Sequence, residues 1–387
     1  MRMIRRRARV ILKELGRQFP AVLILGPRQC GKTTLSKEGI KGSYFDLEKP
    51  ADQRVFLGDP ELALSRTAEP VILDEVQCIP QLFPILRSVI DEKRRKNGRF
   101  YLLGSVNPSL LQHVSESLAG RVGILELTPF LRSEAKTAGV DLATHWLRGG
   151  FPDACMARNS DQWERWQDAY LRTFIERDVS RHGIKTSCFE LRRFLTMGAH
   201  HHGGLLNASE IGRAFGLTYH TVQRYRDILE GHYLTRRLQP YAANRGKQLV
   251  KTPKIYIRDS GLLHHLLGIK VERDLLASPK RGWSWEGYMI EQVIALEQLM
   301  RPASRFSFYR TKAGAEIDLI VERGVENIGF EFKSALSATP DAASNLKDCL
   351  ASKIISKGFV VCLGSRRYPL ADNVDVIGAE QLLDSPL

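Results

Sequence analysis

The sequence predicts an α/β protein: a parallel-sheet domain in front, a helical and winged-helix middle, and a small α/β domain at the rear. Three stretches carry that prediction. Five apolar residues, Ala21–Leu25, run directly into Gly26-Pro27-Arg28-Gln29-Cys30-Gly31-Lys32-Thr33, which fits G-x-x-x-x-G-K-[ST]. Residues 207–257 read as helix, Gly stop, second helix and hairpin. Residues 315–333 put an aspartate on one strand and Glu-x-Lys on the next. The expected domains are 1–150, 151–280 and 281–387, in line with the two to three that 387 residues suggest at roughly 150 each.

The phosphate-loop pattern comes first. Its glycines let backbone N–H groups turn inward around a polyphosphate, and the helix that follows points its N-terminus at the anion. Lys32 adds a mobile positive charge for the outer phosphates, and Thr33 offers a hydroxyl to Mg²⁺. Gly26 to Thr34 are therefore the expected binding residues for a nucleoside triphosphate and its Mg²⁺. Cys30 inside the loop predicts that alkylation disturbs nucleotide binding.

From residue 21 to about 131, short apolar runs alternate with helical stretches, as in a parallel sheet. Val71-Ile72-Leu73-Asp74-Glu75 is an apolar strand ending in two acids, which delivers carboxylates to the same sheet edge as the phosphate loop. Asp74 is expected to hold Mg²⁺ and Glu75 to polarise the attacking water. The strand 100–107 ends in small polar groups, so Ser105 or Asn107 is a candidate for the γ-phosphate or that water. Arg121, after Ser117-Leu118-Ala119-Gly120, is a candidate for stabilising phosphoryl charge, in cis or from a neighbouring copy.

Composition bounds the rest. An apolar fraction of 43% with 26% charged residues suits a chain that buries real cores, and no apolar window reaches transmembrane length. The basic start, Arg5-Arg6-Arg7-Ala8-Arg9, lacks the apolar stretch of a secretory signal and predicts a helix packed on the first domain. A net charge of +14 favours a polyanionic partner, DNA foremost with RNA left open, and no membrane. Six scattered cysteines without a C-x-x-C pair read as reduced thiols in a cytoplasmic protein. His200-His201-His202 reads as a solvated helix end rather than a metal site.

In the middle, residues 163–183 form a charged helix whose spacing argues for packing. Residues 207–217 and 218–230 then make the two helices of a winged helix-turn-helix, with 233–238 and 254–257 as its hairpin. Tyr219, His220, Gln223 and Arg224 lie where groove-reading side chains sit, and Arg245, Lys247, Lys251 and Lys254 on the wing suit phosphate contacts. A winged helix used only for protein packing is the rival reading.

At the rear, 285–296 is an amphipathic helix with acids at 286 and 291, and 305–310, 315–321 and 328–333 are strands. Alternation puts Glu331 and Lys333 on one face. With Asp318 they compose a divalent-metal site: two carboxylates hold Mg²⁺ and the lysine orients a water for phosphodiester attack.

Two resemblances follow from these residues. Gly26 to Thr33, Asp74-Glu75-Val76-Gln77, Gly104-Ser105 and Ser117 to Arg121 resemble bacterial and archaeal AAA-type ATPases that carry a conserved domain of unknown function behind the ATPase. That implies ATP hydrolysis by a chain that can form a homo-oligomer. The rear pattern resembles the PD-(D/E)xK nuclease superfamily, a restriction-endonuclease-like fold. The match gives Asp318, Glu331 and Lys333 the catalytic positions and makes Glu286 a further metal-holding acid, with Glu316 as a substitute. The expected function is an ATPase that binds, remodels or cuts DNA. The alternative is an ATP-dependent switch or scaffold whose rear domains are catalytically inactive.

Overall fold

The computed structural model describes residues 4–104, 114, 116–179, 188–205, 208–241 and 249–385. Two compact units emerge, Met1–Phe130 with Gly231–Tyr233, and Leu131–Glu230 with Leu234–Leu387.

In the first unit, strands β1 (Ala21–Leu25), β2 (Ser43–Asp46), β3 (Val71–Asp74), β4 (Phe100–Gly104) and β5 (Val122–Glu126) form one sheet in the order β2-β3-β4-β1-β5. All neighbours are parallel. The three central strands are buried along their whole length, which is why they read as unbroken apolar runs. The basic start does lead into a helix, Ala8–Gln18, with Ala8 and Leu12 buried. Helix Leu82–Glu92 buries Leu82, Phe83, Leu86, Val89 and Ile90 at helical spacing. Two short helices, Pro50–Leu57 and Pro60–Arg66, were too brief to leave a periodic signal; each opens with proline at its first turn.

β3 stops one residue before the expected end. Glu75 has φ 55° and ψ 48°, a left-handed conformation that takes it out of the strand.

The second unit is built on a mixed eight-stranded sheet. Its strands are β6 (Thr235–Pro240), β7 (Lys254–Ile257), β8 (Arg305–Arg310), β9 (Glu316–Arg323), β10 (Glu326–Lys333), β11 (Lys357–Cys362), β12 (Tyr368–Ala371) and β13 (Val374–Gly378). They lie in the order β12-β13-β11-β10-β9-β8-β6-β7. The helices Ala208–Phe215 and Tyr219–Gly231 precede the β6/β7 hairpin, whose strands run antiparallel. β6 also pairs in parallel with β8, Gln239 opposite Ser307 and Pro240 opposite Phe308. The hairpin and the 281–387 segment therefore share one sheet, and the expected boundary at 280 falls inside it.

Helix Arg281–Met300 is longer at both ends than the expected 285–296 and buries Trp285, Met289, Ile290 and Ile294. The segment expected as one helix over 163–183 is helix Ser160–Thr173 followed by a π-helical turn, Phe174–Val179. Tyr170, Leu171, Phe174 and Ile175 are buried in a shared core, the packing role its spacing indicated. No helix among the described residues is long and apolar enough to cross a membrane.

Candidate functional site

The loop after β1 is held open by its own backbone. Gly31 has φ 99° and Gln29 φ 60°, so two of its peptides turn in the left-handed sense. A Cβ on Gly26 would meet the Leu127 carbonyl oxygen at 2.2 Å, so only glycine fits there. Lys32 opens helix Lys32–Gly39 and is 6% exposed. Its Nζ donates to the carbonyls of Gly26 and Pro27, both at 2.9 Å, so the ammonium bridges the loop it serves.

Thr33 Oγ1 donates to Asp74 Oδ2 at 2.6 Å, the contact expected between the loop and the acidic strand end. Tyr44 of β2 donates to the same oxygen at 2.7 Å. Asp74 Oδ1 accepts the Glu75 N–H at 3.0 Å. Glu75 is in turn gripped by the Gln77 side-chain amide. Pro27 is buried, Arg28 pairs with Glu48 at 3.5 Å, and Gln29 and Thr34 are exposed at the rim.

Two expectations for this region are corrected. Cys30 is fully buried, its thiol donates to Leu127 O at 3.4 Å, and burial pushes its pKa up, so it is no alkylation target in the folded loop. Arg121 cannot serve its own loop. The register sets Val122 opposite Ala21, at the amino edge of the sheet, whereas the loop leaves the carboxyl edge after Leu25. A strand of that length separates the two by about 13 Å or more. Arg121 instead makes a bidentate pair with Asp91, both bonds at 2.7 Å. Ser105 and Asn107 lie outside the described residues.

The second unit gathers the rear acids in a pocket of about 390 Å³ lined by Lys254, Glu286, Arg310, Glu316, Asp318 and Glu331, among others. Asp318 on β9 accepts the Phe332 N–H at 2.9 Å, and Lys333 Nζ donates to Glu331 Oε1 at 2.7 Å. The alternation thus brings Asp318, Glu331 and Lys333 together as expected. Glu331 Oε2 is buried with no hydrogen-bond partner. Burial, then the charges of Glu286 and Glu331, push the Asp318 carboxyl well above its ordinary range. Burial also raises Glu331, against the pull of Lys333.

The surprise is Lys254. Expected as a wing residue for phosphate, it is 2% exposed. Its Nζ binds Glu286 Oε1 at 2.8 Å and also pairs with Glu316. Tyr256 OH donates to the same Glu286 oxygen at 2.5 Å. Burial works against the Lys254 charge, but Glu286, Asp318 and Glu316 outweigh it and raise its pKa. The expectation that Glu286, Asp318 and Glu331 converge on a metal ion is not met. Among the described residues no group of His, Cys, Asp and Glu side chains is arranged to hold one. His200 and His201 are exposed beside this pocket, but His202 is buried, accepts the Ile257 N–H at 3.0 Å and is pushed down to about 3 by burial. It is not the solvated helix end expected.

On helix Tyr219–Gly231, Tyr219, His220 and Arg224 are exposed while Val222, Tyr225, Ile228 and Leu229 are buried. Gln223 is half-buried and bound by Arg226. Arg245 and Lys247 lie outside the described residues.

Residues 18–136 match a family model described as an AAA domain. Residues 139–273 and 281–382 match two domains of unknown function, DUF8612 and DUF4143. Uncharacterized proteins of Mycobacterium bovis (Mb2031c) and Mycobacterium tuberculosis (Rv2008c) are each 40% identical over 382 residues, 98% of this chain and 84% of theirs. The chain belongs to the family of these mycobacterial proteins. Its front segment is a P-loop AAA-type ATPase domain. Among solved structures, the Walker-type ATPase PABY2304 of Pyrococcus abyssi is 16% identical, covering 68% of this chain and 96% of that one, at a TM-score of 0.41. The ORC1 protein of Aeropyrum pernix in complex with DNA is 14% identical, covering 71% and 94%, at 0.32. Likenesses that low carry no argument.

Sequence reasoning gave no role to four residues around the two sites. Arg6 is buried, and its guanidinium donates to Cys30 O at 2.7 Å and to Thr128 O, tying the loop to the strand end. Tyr44 and Gln77 hold Asp74 and Glu75, and Tyr256 holds Glu286. Only Gln77 had a signal in the sequence, its place in the motif Asp74-Glu75-Val76-Gln77.

Proposed function

We propose that the chain binds ATP at the loop Gly26 to Thr33 and hydrolyses it, and that the second unit applies this cycle to DNA. The observation that carries the reading is the assembled front site: Lys32 capping the loop carbonyls while Thr33 and Asp74 are already joined. Lys32 exchanges those carbonyls for phosphate oxygens, and the loop N–H groups take the rest of the anion. Mg²⁺ held by Thr33 and, through water, Asp74 would neutralise phosphate charge. Glu75, fixed by Gln77, orients the water that attacks the γ-phosphorus as the bond to the β-phosphate oxygen breaks, giving ADP and phosphate. Ser105 is proposed to contact the γ-phosphate, and Arg121 to act on a neighbouring copy if the chain oligomerises.

The DNA role is supported by the net charge of +14 and by the exposed face of Tyr219, His220 and Arg224. An ATPase assay in Mg²⁺ with DNA and RNA structures as stimulants tests both halves. Turnover should vanish in Lys32→Ala, rise with DNA above RNA, and lose that stimulation as salt increases. No turnover by the unmutated chain, or stimulation indifferent to salt, refutes the corresponding half.

The grouping of Asp318, Glu331 and Lys333 favours a second reading, Mg²⁺-dependent cleavage, in which Lys333→Ala abolishes nicking but spares ATP hydrolysis. The position of Lys254 favours contact without cleavage, and contact is the reading adopted.

A further inference from the structure

The rear pocket contains four carboxylates, and the chain itself answers them. Lys254 reaches Glu286 and Glu316, Arg310 reaches Glu316 at 3.1 Å, and Lys333 reaches Glu331. Lys254 is the deepest of the three cations, 2% exposed on β7, whereas the Lys333 side chain is 41% and that of Arg310 36% exposed. Its place is fixed on both sides. The register sets Lys254 opposite Leu238 of β6, one residue before the pair that joins β6 to β8. Tyr256, two residues on and therefore on the same face, clamps the oxygen of Glu286 that Lys254 also holds.

Divalent cations need several free carboxylate or carbonyl oxygens around one point. Here one Glu286 oxygen is spent on an ammonium and a phenol, and Glu316 is shared between Lys254 and Arg310. Asp318 has given one oxygen to the Phe332 N–H. The buried oxygen left without a hydrogen-bond partner is Glu331 Oε2, a single acceptor.

We propose that Lys254 is the pocket's resident cation, occupying the place among Glu286, Glu316 and Asp318 that a divalent metal takes in a hydrolytic site, so that the pocket works without metal. Metal entry would require expelling a buried ammonium from two salt bridges, which leaves the charge uncompensated and is strongly unfavourable. Removing that charge while keeping the side-chain volume should turn the pocket into a metal site.

The test is Mn²⁺ binding to the full chain without nucleotide, followed by the paramagnetic signal of the free ion. Leaving nucleotide out separates this question from ATP hydrolysis at the front loop. The wild-type chain should bind no Mn²⁺ that Asp318→Asn removes. Lys254→Met should gain a Mn²⁺ site, weakened by about 10-fold or more on adding Asp318→Asn, the scale on which loss of a supporting group acts at metal sites. Lys254→Arg, which restores the charge, should remain without metal. If Lys254→Met folds poorly, its melting temperature should climb with added Mn²⁺ while that of the wild type stays put. Asp318-dependent Mn²⁺ binding by the wild-type chain overturns the proposal, and that arm needs no variant at position 254. Failure of Lys254→Met to gain metal, by titration or by melting, overturns it as well.

Discussion

The molecule sets carboxylates in two places and restrains them by opposite means. At the front, Asp74 is held by neutral donors, the hydroxyls of Thr33 and Tyr44 and one backbone N–H. At the rear, Glu286 and Glu316 are held by a buried ammonium. Hydroxyls fix a carboxylate without bringing a counter-charge, which suits the front acid to the Mg²⁺ role proposed for it. An ammonium neutralises what it holds. The lesson is that acids clustered on strand ends do not by themselves make a metal site; the charge of what holds them decides.

The largest effect that would break this comparison lies at Glu75. Glu75→Gln should keep nucleotide binding and lower turnover by about 100-fold or more, since general-base assistance is worth that much. Normal turnover by this variant would refute Glu75 as the residue that orients the attacking water.

A second test uses acid. His264, buried beside Ser284 and the Leu147 carbonyl, is pushed down to about 4 by burial. Its folded pKa lies below the unfolded value of about 6.5, so the stability it confers is whole above that pH and drains as pH falls toward 4. The full difference is on the order of 3 kcal/mol, at about 1.4 kcal/mol per pH unit. Denaturant unfolding of the wild type and of His264→Gln at pH 7 and pH 4.5 should show the variant losing less stability on acidification. Equal losses would mean that His264 is charged in the fold.

The smallest effect sharpens the front site. Tyr44→Phe leaves the ring and the Lys37 ammonium 4.0 Å above its centre, and deletes one hydrogen bond to Asp74. Loss of a bond to a charged group costs about 1.5 kcal/mol or somewhat more. The Mg²⁺ concentration for half-maximal ATP hydrolysis should rise by about 10-fold, with nucleotide affinity in EDTA unchanged. If affinity in EDTA falls too, Tyr44 supports the loop rather than the acid.

What was legible in the sequence follows from how far apart the cooperating residues lie. Gly26, Lys32 and Thr33 share eight consecutive residues, and Asp74 announces itself by ending an apolar run. Asp318, Glu331 and Lys333 were legible for a similar reason: a hairpin fixes which side chains share a face. Lys254 was not. It reaches Glu286 and Glu316 only because β6 pairs with β8, across a separation that no local pattern records. Tyr44 reaches Asp74 from a neighbouring strand, and Arg6 reaches the loop from before the first helix. The left-handed Glu75 also left no trace, because its conformation is imposed by the turn that follows β3.

The pairing of β6 with β8 has a mechanical side. Lys254 rides on the hairpin that directly follows helix Tyr219–Gly231, the helix proposed to meet DNA, while its partners Glu286 and Glu316 sit on the long helix and on β9. The hairpin is therefore tied to the long helix twice over, by the Lys254–Glu286 salt bridge and by Leu238 and Tyr256, which share a buried core with Trp285 and Met289.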